Sequence, residues 1–313
     1  MNTNSCIFMK TTLKKTLLVT FLALFPLLAQ AKLNVIVTTP DLGAVVREIG
    51  GDKVELNILA RPTEDPHFID AKPSFIVKLN RADALVEGGA ELEAGWLPSL
   101  IEGARNSRIV AGSPGHIACH QGVQLLEVPA TLDRSRGDIH AAGNPHFMMD
   151  PANARIVAHH IADSFSQLDP PSAGIYRANL EKFIGQLDTK SAEWQKLLDP
   201  FKGQRIVAYH NSWPYFAERF GVKIDLFLEP KPGIPPSPAH LAELIAKMKE
   251  EKIRVIFVEP HLNRKSAETV ARNTGATVLN VTQFPGGVKG TEGGYLQLMD
   301  YLVQSLAKAL RAP

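Results

Sequence analysis

Three histidines carry the strongest chemical signal in this 313-residue chain. His67 stands in "EDPHFID" and His146 in "GNPHFMMDP", two segments that repeat a Pro-His-Phe core 79 positions apart. His210 closes "RIVAYH", directly after a run that reads as a buried strand. A proline fixes φ and keeps the flanking backbone out of the helical region, so the first two rings are held in defined loop poses. The third sits at the carboxyl end of a strand, where sites of α/β folds gather. Imidazole is the common ligand for zinc and other borderline metals, and three of them leave one coordination position open. The predicted chemistry is the grip of one divalent cation by side chains drawn from distant parts of the chain.

The other histidines promise less. His116, Cys119 and His120 in "GHIACH" are close enough for a small second site, but fit a surface loop better. Neighbouring helical side chains point about 100° apart, so His159 and His160 do not share a target. His140 is a lone extra histidine in the stretch before His146, and His240 and His261 are expected to be exposed. The chain has no CxxC, H-E-x-x-H, P-loop or GxSxG pattern.

The elements that must position these rings alternate. Strand patterns at "KLNVIV", "KVELNILA", "DALVEGG" and "RIVAG" are separated by helices, and residues 113–145 then read as irregular. A helix from Asp150 to Leu168 follows, and another from Ser172 to Leu198 would be about 40 Å long at 1.5 Å per residue. The alternation restarts with "QRIVAYH", "VKIDLFL", "IRVIFVEP" and "ATVLNVT", and a closing helix ends the chain. Strands alternating with helices predict parallel sheets with crossover connections. The expected fold is α/β: two lobes, each a small parallel sheet flanked by helices, joined by one long rigid helix, with the metal site in the cleft between them. The expected boundaries are 32–170, 171–200 and 201–313.

The first 31 residues read as a targeting segment. Lys10, Lys14 and Lys15 precede the apolar run Leu17–Leu28, and Ala29-Gln30-Ala31 forms a small-x-small cleavage site. That run is too short for a comfortable membrane span, and no cysteine follows it to carry a lipid. The expectation is an exported periplasmic protein and not a lipoprotein. Removing three lysines takes the formal charge from +2 to −1, which argues against nucleic acid or an anionic membrane as partner. Cys119 is then the only cysteine, so no internal disulfide forms and stability must come from burial. A monomer is expected.

"DPHFIDAKPS", "NPHFMMDPANA", "VAYHNSWPYFAERFG" and "PSPAHLAELIAKMKEEKIRVIFVEP" together resemble the metal-binding solute-binding proteins of bacterial ABC importers, the zinc and manganese group. The resemblance spans essentially the whole chain after residue 31. It implies that His67, His146 and His210 ligate a metal between two lobes, and that the protein hands the ion to an inner-membrane permease without catalysis. Two departures stand out. Where the family commonly supplies a carboxylate after the last strand, this chain has "VLNVTQFPGG", which leaves Glu259 at the end of "IRVIFVEP" as the nearest candidate for a fourth ligand, with Glu64 and Asp65 as weaker candidates and water as the alternative. The histidine- and acid-rich tract of zinc-specific members is reduced here to "RSRGDIHAAGNPH". A donor set dominated by imidazole favours Zn²⁺ as cargo, with Mn²⁺ and Fe²⁺ as alternatives. The rival readings are a periplasmic metal chaperone or metal-dependent adhesin of the same fold, and a zinc hydrolase with Glu259 as base.

Overall fold

The computed structural model describes residues 31–131 and 140–312. The expected signal segment, apart from Ala31, lies outside the described residues, as does part of the irregular stretch before His146. Residues 33–313 form one compact unit.

Two four-stranded parallel sheets share one topology. In the first, β1 (Leu33–Val37), β2 (Val54–Ile58), β3 (Ala84–Glu87) and β4 (His116–Ala118) run in the order β2-β1-β3-β4. In the second, β5 (Arg205–Ala208), β6 (Lys223–Phe227), β7 (Val255–Val258) and β8 (Thr277–Asn280) run β6-β5-β7-β8. The order reverses beside β1 in one sheet and beside β5 in the other, and ligands of open α/β sheets bind at the carboxyl ends of strands there.

The strand residues explain how both sheet faces are covered. Val35 and Val37 of β1 point into the largest core, while Ile36 between them enters a smaller one. Likewise Val255 and Phe257 of β7 join the large core, and Ile256 and Val258 a third. Alternation with period two inside a continuous apolar run is how a sheet buried on both faces reads. The small cores lie under α2 (Pro73–Arg81) and α3 (Leu97–Ala104), and under α7 (Pro238–Glu250) and α8 (Arg264–Thr274).

The large core draws on both halves of the chain. It contains the apolar faces of α1 (Pro40–Gly50), α4 (Pro151–Leu168), α5 (Ala173–Leu198), α6 (Pro214–Phe220) and α9 (Tyr295–Arg311), together with strands of both sheets. The long helix α5 has 26 residues and packs on α1, α4 and α9. Trp194 in α5 donates to Asp300 in α9 at 2.8 Å, which ties the linking helix to the C-terminal one. Among the described residues no helix is long and apolar enough to cross a membrane.

Six of these helices carry proline in the first turn, in "TPD", "KPS", "LPS", "DPA", "WPY" and "SPA". Proline there loses no hydrogen bond and presets φ, so the chain turns sharply from loop into helix. In a parallel sheet these starts follow the carboxyl ends of the strands, where the functional loops lie.

One strand differs from expectation. "RIVAG" is turn, and β4 is instead His116–Ala118, paired through Leu85↔His116 to Glu87↔Ala118. Only Ile109 of the apolar trio is used by the core, while Val110 is 42% exposed. Arg108 pairs with Asp83, and Leu85 N–H donates to the Gly115 carbonyl at 2.8 Å, so the chain is ready to pair only after Gly115. In "EAGWLPSLIEGA" the helix starts only at Leu97, because Pro98 fits only a first turn.

Candidate metal centre

His67 and His146 are presented by the same local device. Asp65 precedes Pro66-His67, and its Oδ1 accepts from His67 N–H at 3.0 Å; Asn144 precedes Pro145-His146, and its Oδ1 accepts from His146 N–H at 3.0 Å. An Asp or Asn side chain bonding its own backbone two residues on closes a rigid turn, and the proline between them removes the remaining freedom. Each turn is then anchored. Trp96 Nε1 donates to the Pro66 carbonyl at 2.9 Å. After His146 a short 3₁₀ turn, Phe147–Met149, is fully buried, and Tyr295 of α9 donates its hydroxyl to the Met148 carbonyl at 2.8 Å.

His210 lies two residues beyond β5. Its Nδ1 is 2.7 Å from Oε2 of Glu229, which follows the neighbouring strand β6. With the ring N–H donating to that carboxylate, Nε2 is left to face the other two histidines. A carboxylate behind a ligand imidazole fixes its tautomer and orientation and raises its basicity.

The three rings converge. Nε2 of His67 and Nε2 of His146 are 3.4 Å apart, and one nitrogen from each of His67, His146 and His210 falls within 4.8 Å of the others. Ligand bonds of 2.0–2.1 Å in a tetrahedron place donor atoms about 3.3 Å apart, so the closest pair already has the spacing of a zinc site. Ring planes cross at 85°, 68° and 89°, edge toward edge, as nitrogens aimed at a common centre require. A niche of about 30 Å³, bordered also by Asp65, Ser212, His261 and Gln283, lies against the triad. An outer cavity of about 610 Å³ opens onto His146 and His210.

The electrostatics suit a cation. Burial holds His67 and His146 well below the usual imidazole value, reinforced for His67 by His140 and for His146 by His67. These rings are neutral and ready to donate. Burial also pulls on His210, but the hydrogen bond and charge of Glu229, with Glu259 and Asp65 behind, lift it above the ordinary value.

Glu259 follows β7 at the topological switch point but stands outside the group of converging donors. It is 2% exposed, its Oε1 accepts from Trp213 Nε1 at 2.9 Å, and burial raises its pKa to about 7. Sequence reasoning missed Glu229. "FLEP" and "FVEP" both place a Glu-Pro pair after a strand, and it is the first whose carboxylate backs a histidine of the triad. His261, expected to be exposed, borders the niche instead, and His240 is half-buried with Nε2 3.0 Å from the Phe227 carbonyl. His140 stacks on His67 at 5.0 Å. The residues of "GHIACH" do not converge: His116 pairs with Glu87 at 3.1 Å, and Cys119 is buried in the core.

Two parallel sheets, a long helix through their common core and a three-histidine focus at the strand ends define a substrate-binding protein of the metal-importing type. The sequence matches the model of the family described as zinc-uptake complex component A, periplasmic (ZnuA), over residues 35–309, and the chain belongs to that family. Its fold is similar to a crystal structure of a ZnuA deletion mutant with zinc bound, at a TM-score of 0.75 and 26% identity, covering 90% of this chain and 99% of that one. It is 26% identical to the manganese ABC transporter substrate-binding lipoprotein PsaA of Streptococcus pneumoniae, with 94% of this chain and 98% of the relative covered. It is 24% identical to the iron ABC transporter substrate-binding lipoprotein MtsA of Streptococcus pyogenes, with 89% of each covered. The chain is thus a divalent-metal-binding component of an ABC uptake system that works outside the cytoplasm, in a family of transport proteins and not enzymes. The hydrolase alternative falls with that membership.

Proposed function

We propose that the chain captures Zn²⁺ in the periplasm through His67, His146 and His210 and delivers it to the permease of an inner-membrane ABC importer. The observation that carries this reading is the donor set: three nitrogens converge and, among the described residues, no carboxylate joins them. Imidazole suits zinc, whereas Mn²⁺ prefers oxygen ligands. Relatives named for manganese and iron share the fold, so overall likeness does not choose the ion, and it is the nitrogen donor set that supports zinc. Water completes the tetrahedron. Glu259, raised to about 7 by burial and held by the Trp213 indole, stands beside the site without a bond to the ion. A soluble form cleaved after Ala31 agrees with the lack of a cysteine after the apolar run.

Competition titrations against a chromophoric chelator test this, with Zn²⁺, Mn²⁺ and Fe²⁺ on the parent chain and on His67→Ala, His146→Ala and His210→Ala. Zinc should bind tightest, and each variant should weaken it by orders of magnitude. Tighter manganese, or zinc affinity unmoved in all three variants, refutes the proposal. Glu259→Gln separates the two roles of that carboxylate: a loss as large as the histidine variants makes it a ligand.

A further inference from the structure

Beside the site a small polar knot joins the loops that carry His146 and His210. Asn144 is its centre. Its Oδ1 closes the turn that presents His146, while its Nδ2 donates to the Asn211 carbonyl at 2.9 Å and to Glu127 Oε2 at 3.0 Å. Asn211, directly after His210, donates its own side-chain amide to the same Glu127 oxygen at 2.7 Å. One carboxylate oxygen therefore takes an N–H from each side of the cleft. Tyr215 in α6 backs the knot, with its hydroxyl donating to the Asn144 carbonyl at 2.7 Å and accepting from Leu126 N–H at 2.9 Å.

Glu127 is held at φ 55°, the left-handed region that glycine occupies without penalty. A glycine would relieve that strain, yet it would lack the side chain that gathers both amides. Strain kept at one residue beside a site points to a use for its side chain.

We infer that Glu127, Asn144 and Asn211 form a latch that fixes the spacing of His146 and His210 and so slows the escape of a bound ion. They are positioning residues, and the inference rests on the three-histidine site proposed above. The latch bonds exist only when the two loops stand together, so they oppose the parting of the nitrogens that release requires. Their kinetic signature is in dissociation. A carboxylate at the edge of the 610 Å³ cavity that merely attracted cations would act on association instead.

Two substitutions separate these roles. Glu127→Gly removes the carboxylate and relaxes the turn; Glu127→Gln keeps an acceptor oxygen at the same reach without the charge. Zinc release into excess fluorescent chelator, followed by stopped flow, should be about tenfold faster in the glycine variant, in the range that supporting hydrogen bonds contribute to metal sites. Its association rate and the thermal midpoint of its metal-free form should not fall. The glutamine variant, which keeps a weaker neutral acceptor, should release zinc more slowly than the glycine variant, and Asn211→Ala should behave like the glycine variant. Release as slow in Glu127→Gly as in the parent overturns the latch, as does slowed association shared by the glycine and glutamine variants. A parent chain that fails to bind zinc refutes the histidine site itself, and the latch with it.

Discussion

Replacing Glu229 with glutamine should weaken zinc binding at alkaline pH and matter progressively less as the solution is acidified. Glutamine keeps an acceptor for the His210 Nδ1–H but removes the charge. The Glu229 and His210 side chains are only 10% and 18% exposed, so solvent screens the pair little. A hydrogen bond to a charged partner contributes about 1.5–3 kcal/mol and a neutral one about 0.5–1.5, a difference of about 1.5 kcal/mol. That corresponds to about tenfold in affinity, the lower end of what groups behind ligand histidines supply. The pH dependence follows from the same contact. Glu229 raises the pKa of His210, so in acid the parent must expel a proton from that ring before the ion can bind. His67 and His146, held well below the usual value by burial, impose no such competition. The variant loses basicity and proton competition together, and its deficit should shrink between about pH 8 and about pH 5.5. Chelator competition at a series of pH values measures both effects. A deficit that is equal at every pH, or no deficit at all, would refute the reasoning that Glu229 tunes His210.

His67 and His146 by themselves should make the metal-free fold less stable in acid, against the buried carboxyls of Asp41, Glu93 and Glu259, whose raised values act in the opposite direction. An unfolded chain protonates His67 and His146 near pH 6.5 while the folded chain resists to lower pH, so their contribution falls as pH drops below about 6.5. His210 opposes this with one raised value, its contribution being full below about 6.5 and lost as pH rises through the folded value. A variant carrying His67→Ala and His146→Ala whose denaturant midpoint follows pH as the parent's does would contradict this contribution. Zinc at 100 times its dissociation constant should stabilise the fold by about 2.7 kcal/mol, read as a raised melting temperature that a chelator reverses. Gly115→Ala should cost about 1–3 kcal/mol, because a Cβ there runs into the carbonyl oxygens of Arg108 and Asp83; an unchanged melting temperature would mean the chain can shift at that crossing. Tyr295→Phe, which leaves the buried Met148 carbonyl without its donor, should cost about 1–3 kcal/mol and loosen zinc binding through the turn behind His146. Equal zinc affinity in that variant would separate the turn from the site.

The parallel sheets were legible because their strands are short apolar runs separated by helices, and the helix starts because proline marks them. "RIVAG" misled because three adjacent apolar residues look alike in a sequence, and only packing decides that Ile109 turns inward while "HIA" reaches β3. At the site, the repeated Pro-His-Phe signal was readable, and the Asp or Asn two residues ahead of each histidine was equally visible though not used. Glu229 and Glu127 were not readable. Each gains its role from a partner outside its own segment, His210 in the loop after the adjacent strand and Asn144 and Asn211 across the cleft, and no local pattern announces such a meeting.

The shared interior that welds the two sheets through α1, α4, α5 and α9 bears on how cargo leaves. A clamshell swing would have to part apolar side chains of that interior, at about 25 cal/mol for each Å² brought into water. Unloading must therefore be a peripheral event, in which the receiving transporter prises apart a few rim segments while the girder behind them stays still.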